Sequence, residues 1–156
     1  MNELPPRCPR VLFVAYGNPG RGDDGAAWLV ADSIEERWGN RIDILRFHQL
    51  DIVLAERFAQ CDVVIFVDAE TTETAQGRSP TLLTPSAELR EVTHILDPAA
   101  LLGLGQAIYH ARPRAYLVTV FAHRFEFGDA ISPETRSDID RAVRDIENLL
   151  HEVLPS

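Results

Sequence analysis

The apolar positions of this chain fall into two kinds of pattern. Residues 11–16 read VLFVAY and residues 62–68 read DVVIFVD, continuous apolar runs. Runs without alternation predict strands buried on both faces, as in parallel sheets. Residues 42–47 alternate and predict a further strand between them. The intervening segments have helical spacing. Ala27, Val30, Ala31 and Ile34 share one face of a helix that opens at Asp24 and stops at Gly39-Asn40. Ile52, Leu54, Ala55 and Phe58 predict a helix over 51–59. The order β-α-β-α-β over the first 70 residues is that of a parallel sheet with crossover helices.

The rest of the chain adds elements of both kinds. Residues 71–79 are polar and read as a loop. Thr81 to Leu83, bracketed by Pro80 and Pro85, predicts an edge strand. Asp97-Pro98 starts a helix running to about Tyr109, and AYLVTVF at 115–121 is another strand. Arg124 to Phe127 is expected to pair as a short strand, with Gly128-Asp129 as its turn. Ser132-Pro133-Glu134 opens a final helix, Ser as cap and Pro in the first turn. Its stripe is Ile139, Ala142, Val143, Ile146, Leu149, Leu150 and Val153. The pattern predicts an α/β fold: a three-layer αβα domain over 10–154, with a mostly parallel twisted sheet of about five strands. Residues 1–9, proline-rich, are expected to be a disordered lead-in.

Length and charge narrow this picture. At 156 residues the chain is the size of one domain with its own core. A net charge of −9 disfavours nucleic acid and anionic membrane surfaces as partners, because both need clustered cations. No apolar run reaches the roughly 20 residues of a membrane span. Cys8 and Cys61 follow no metal or disulfide spacing and are expected as reduced thiols. These features predict a cytoplasmic monomer.

The chemistry concentrates where the first strand ends, in the turn GNPGRGDDG at 17–25. Gly20 to Gly25 formally matches G-x-G-x-x-G, the dinucleotide fingerprint. A pyrophosphate would then sit on backbone N–H groups at the helix start. Asp23 and Asp24 place two carboxylates there and would repel it. One acid serves a helix dipole or a cap, and two acids framed by three glycines exceed that need. Asp68 closes the 62–68 run, and strands starting at Arg10 and Asp62 end at the same sheet edge, so Asp24 and Asp68 can approach one another. Of five histidines, His94 is the best placed third partner, in the segment leading into the helix at Asp97. His48, at the end of the second strand, is next. Two carboxylates and an imidazole suit a divalent transition metal, and equally a metal-free acid–base set. H-E-x-x-H and G-x-S-x-G are absent, and neither cysteine has an obvious histidine partner. Activated water is the expected attacker in any hydrolysis.

Two resemblances attach to these residues. Gly17-Asn18-Pro19-Gly20 after an apolar strand is similar to the opening of peptidyl-tRNA hydrolases, whose Thr-Arg-His-Asn continuation is replaced here by Arg21-Gly22-Asp23-Asp24-Gly25. The wider pattern resembles the hydrogenase maturation proteases. It comprises Gly17-Asn18, Gly22-Asp23-Asp24-Gly25, Val67-Asp68-Ala69, and His94 before a leucine-rich helix. That resemblance implies an endopeptidase trimming the C-terminal extension of a [NiFe] hydrogenase large subunit. It assigns Asp24, Asp68 and His94 as catalytic and metal-contacting residues, and Gly17, Asn18, Gly22 and Asp23 to the substrate side, with Asp23 read as a helix-start or substrate-orienting acid. The metal is nickel carried by the substrate, and the partner is the precursor large subunit. Other members often carry Glu at position 24 and a Gly-Gly-Thr segment after the second strand. Here that segment reads Phe47-His48-Gln49-Leu50-Asp51. Together with Arg124 to Gly128, it resembles the branch serving NAD-linked cytoplasmic hydrogenases. A non-cleaving metalloprotein-binding module of the same fold is the alternative.

Overall fold

The computed structural model describes residues 8–71, 80–86, 96–128 and 130–155. Five strands form one sheet: β1 (Val11–Tyr16), β2 (Asp43–Phe47), β3 (Val63–Thr71), β4 (Thr81–Leu82) and β5 (Arg114–Ala122). Their spatial order is β2-β1-β3-β5-β4. β2, β1, β3 and β5 run parallel, and β4 pairs antiparallel with β5 at the edge. Four α-helices accompany them: α1 (Ala26–Trp38), α2 (Leu54–Arg57), α3 (Pro98–Tyr109) and α4 (Pro133–Val153).

The continuous apolar runs are buried on both faces, as their lack of alternation requires. Odd-numbered residues of β1 and β3 (Val11, Phe13, Val63, Ile65, Val67) pack with α1 and α4. Even-numbered ones (Leu12, Val14, Val64, Phe66) pack with α2 and α3. Three layers follow directly, with the sheet in the middle. The α1 face is the expected set, Ala27, Val30, Ala31 and Ile34, extended by Ala26 and Trp38. In α4 the Ser132 hydroxyl accepts the Thr135 N–H, with Pro133 in the first turn, as its sequence predicts.

Three sequence expectations change. The helix expected over 51–59 is one α-turn, Leu54–Arg57, followed by a 3₁₀ turn, Phe58–Gln60. Asp68 does not end its strand: β3 runs on to Thr71, paired with β5 alone through Thr71↔Ala122. Residues 124–127 are not a strand. The backbone N–H and carbonyl of Arg124 are spent on Asp23, and only Gly128 forms a bridge, to Arg21.

β1 is followed in the sheet by β2 on one side and β3 on the other. The chain therefore leaves the carboxyl ends of β1 and β2 in opposite senses, opening a crevice beside the end of β1. Such a reversal point is where parallel α/β sheets hold their ligands.

Candidate active site

The turn after β1 folds into this crevice by hydrogen bonds of its own. The Gly17 N–H donates to the Phe47 carbonyl at 3.0 Å, tying the turn to the end of β2. Asn18 works from both ends: its Oδ1 accepts the Gly20 N–H at 2.9 Å, and its N–H donates to Asp24 Oδ2 at 2.9 Å. Gly17 has φ +147°, and a Cβ there would run into the Asp24 carbonyl oxygen. Gly22 has φ +56°, and its Cβ would lie 2.8 Å from the Arg124 carbonyl oxygen. Only glycine meets both demands at these two positions.

The adjacent aspartates go opposite ways. Asp23 is 0% exposed. Its carboxylate accepts five hydrogen bonds at 2.8 Å: from the N–H groups of His123, Arg124 and Ser132, and from the hydroxyls of Ser132 and Thr135. Burial pushes this carboxyl up, but the hydrogen bonds to its charged form prevail and hold it at about 2. The backbone adds three more links. Asp23 N–H donates to the Arg124 carbonyl, Gly22 N–H to Gly128, and Gly128 N–H to Gly20. Asp23 thus binds the turn after β1 to the segment after β5 and to the start of α4. Of its two expected roles, helix start and contact with substrate, its burial leaves no accessible surface for the second.

Asp24 lies on the open side of the turn, half-buried, near Asp68. Asp68 stands in register with Tyr16 across the β1–β3 pair, one residue past the last paired position, Ala15↔Val67. It is hydrogen-bonded by the Tyr16 hydroxyl and the Ala69 N–H. Burial, then the charges of Glu70 and Asp24, outweigh those bonds and raise its carboxyl to about 7. Burial and the neighbouring Asp68 carboxylate push the Tyr16 phenol far above its usual range, so it remains a donor. Burial also raises Glu70. Asp97 caps α3 by accepting the Ala100 N–H at 2.7 Å, and its charge reaches Tyr16. The crevice therefore concentrates negative charge in a partly desolvated place. Either a proton or a cation relieves it.

The charge of Asp24 reaches Asp68, which lies one residue past the last β1–β3 pair and not at the end of its strand. His94 lies outside the described residues, and the described ones hold no cluster of three metal-ligating side chains. His48 is exposed, with its ring 5.4 Å from that of Trp28. His110 caps the carboxyl end of α3 with φ 56°. Cys61 is partly buried, and burial takes its thiol up to about 12, which makes it a poor nucleophile. Tyr16 and Glu70 join the site without a motif of their own. The available signal was register: Tyr16 ends one apolar run, and Glu70 has the same side-chain parity as Asp68. Among the described residues, no helix is long and apolar enough to cross a membrane.

No protein-family model matches the sequence. Nor does any curated protein. Solved structures do match. The hydrogenase maturating endopeptidase HybD from E. coli superimposes with a TM-score of 0.67 at 21% identity, over 92% of this chain and 93% of that one. The [NiFe] hydrogenase maturation protease HycI from Thermococcus kodakarensis gives 0.67 at 20%, over 92% and 93%. A hydrogenase 2 maturation peptidase from a Thaumarchaeota archaeon gives 0.65 at 22%, over 90% and 97%. This chain shares their fold across nearly its whole length.

Proposed function

We propose that this chain is an endopeptidase that removes the C-terminal extension of a [NiFe] hydrogenase large subunit once nickel has been inserted. The observation that carries the reading is that the charge of Asp24, in the turn after β1, reaches Asp68 where the β1–β3 pairing ends, in a fold shared with the maturation endopeptidases. Asp68 is held protonatable near neutrality by its burial and, after that, by its acidic neighbours Glu70 and Asp24. A cation brought in by the substrate lowers the same repulsion and displaces that proton. The donor set of two carboxylates, with His94 as third partner, leaves positions for substrate groups.

On this reading Asp24 and Asp68 anchor the nickel that the precursor already carries, and so distinguish loaded from empty substrate. The Tyr16 hydroxyl orients the Asp68 carboxylate. Water attacks the scissile carbonyl, since the described residues hold no activated side-chain nucleophile. The amide C–N bond breaks, water supplies the oxygen of the new carboxylate, and its proton goes to the leaving amine. Gly17, Asn18 and Gly22 shape the turn that presents Asp24.

The test is the mass of a precursor large subunit incubated with the purified chain. Loss of the extension from nickel-loaded precursor, none from nickel-free precursor, and none with Asp24→Ala or His94→Ala are expected. Full processing by Asp24→Ala would remove the site assignment, and cleavage of nickel-free precursor would remove the metal check. An uncut precursor in a stable complex would favour the non-cleaving module. Release of the aminoacyl group from a charged tRNA would favour the esterase.

A further inference from the structure

The segment after β5 carries the most exposed aromatic among the described residues, Phe127 at 91%, and close to it Phe125 at 37%. The backbone on both sides of Phe127, at Arg124 and Gly128, is tied to the turn after β1. Gly128 N–H donates to Gly20 at 2.9 Å and Gly22 N–H to Gly128 at 2.8 Å. The buried Asp23 carboxylate holds the N–H groups of His123 and Arg124, and the Arg124 carbonyl takes the Asp23 N–H. The Arg21 guanidinium lies 5.6 Å from the Phe127 ring centroid, and the ring stays open to a partner. Arg21 itself belongs to the turn that presents Asp24. The aromatic ring and the acidic crevice are therefore linked through one turn, with only Gly22 and Asp23 between Arg21 and Asp24.

We infer that Phe127, backed by Arg21 and flanked by Phe125, is the docking surface for an apolar segment of the substrate polypeptide. This rests on the proposed reaction at Asp24 and Asp68. The occupant is the substrate chain, because the surface is continuous with the crevice its metal-bearing part would enter. A folded protein substrate needs contacts beyond a two-carboxylate anchor. An aromatic side chain, with two rotatable bonds on an anchored backbone, supplies them at low entropic cost. Phe127 touches no reacting atom, so it acts on binding and leaves the chemical step alone.

The experiment compares the full-length chain with Phe127→Ser, Phe127→Trp and Ile108→Ser on nickel-loaded precursor, reading kcat and KM by mass spectrometry and complex formation by interferometry. Ile108 is an exposed apolar residue near the far end of α3 and serves as the surface control. Phe127→Ser is expected to raise KM by roughly 10-fold or more with kcat within about two-fold, the loss of one buried aromatic contact. Phe127→Trp restores KM, and Ile108→Ser leaves it unchanged. A wild-type KM in Phe127→Ser overturns the docking surface while leaving the protease reading intact. If the wild type binds precursor without cutting it, the protease reading fails, and loss of binding in Phe127→Ser alone still upholds the surface. If the wild type neither binds nor cuts, both fall. Self-association of the wild type that Phe127→Ser abolishes assigns the ring to a second copy of this chain and overturns the inference.

Discussion

Replacing Asp23 by Ala strips the clamp between three distant parts of the chain while leaving Asp24 in place. The mutation removes one acceptor group and abandons five donors inside the protein. The two hydroxyls have some recourse: Thr135 Oγ1 also donates to the Phe121 carbonyl at 3.0 Å, and the Ser132 hydroxyl also reaches Thr135 at 3.0 Å. The N–H groups of His123, Arg124 and Ser132 depended on the carboxylate. Stranding buried donors costs about 1–3 kcal/mol each, and water entering the gap recovers part of it, so a loss of about 3–5 kcal/mol is expected. Against a typical total of about 5–15 kcal/mol this is large. Asp23→Asn isolates the charge. The fall from the ordinary 3.8 to about 2 is worth ~2.5 kcal/mol in favour of the charged form. The folded-state value is depressed, so this stability is present above the unfolded value. It is lost as pH falls through about 2. Urea unfolding between pH 7 and pH 2 measures both effects. Wild type should lose ~2 kcal/mol more than Asp23→Asn between pH 7 and pH 2, most of it below about pH 4. An Asp23→Ala cost below ~1 kcal/mol at pH 7, or identical acid sensitivity in wild type and Asp23→Asn, would refute the clamp.

Other outcomes follow from the same contacts. Asp68 has the opposite sign: its folded-state value is raised to about 7, so wild type loses stability as pH rises from about 4 to about 7. Asp68→Asn should therefore raise the melting temperature at pH 8 and not at pH 4, while abolishing processing. Gly22→Ala forces a Cβ into the Arg124 carbonyl at φ +56° and should cost about 2–4 kcal/mol by urea unfolding. It should also speed proteolytic nicking within 124–128. Ile146→Ala, a fully buried truncation in the α1–α4 layer, should cost about 2–5 kcal/mol and leave KM unchanged.

Much of the fold and part of the site are legible in the sequence, and the division has a physical cause. Burial on both faces leaves an uninterrupted apolar run, so β1 and β3 declare themselves. A helix buried on one face repeats every 3.6 residues, so α1 and α4 do too. Asp24 and Asp68 stand out for the same reason, as acids beside runs that end at one sheet edge. What the sequence could not divide was the pair in the turn after β1. Asp23 and Asp24 are identical residues in one stretch of glycines, and nothing local ranks them. Their roles separate only when residues 123–135, about a hundred positions away, supply five donors to one of them. The same distance hid the true form of 124–127, where a short strand was expected. The backbone groups of Arg124 and Gly128 were already committed to Gly20, Gly22 and Asp23. Tyr16 and Glu70 entered the site by register across strands, which periodicity along one strand does not record. Local pattern therefore determined β1, β3, α1 and α4 and marked two of the acids. Contacts between segments far apart in the chain decided which acid is structural, which faces the crevice, and which aromatic is held out to solvent beside it.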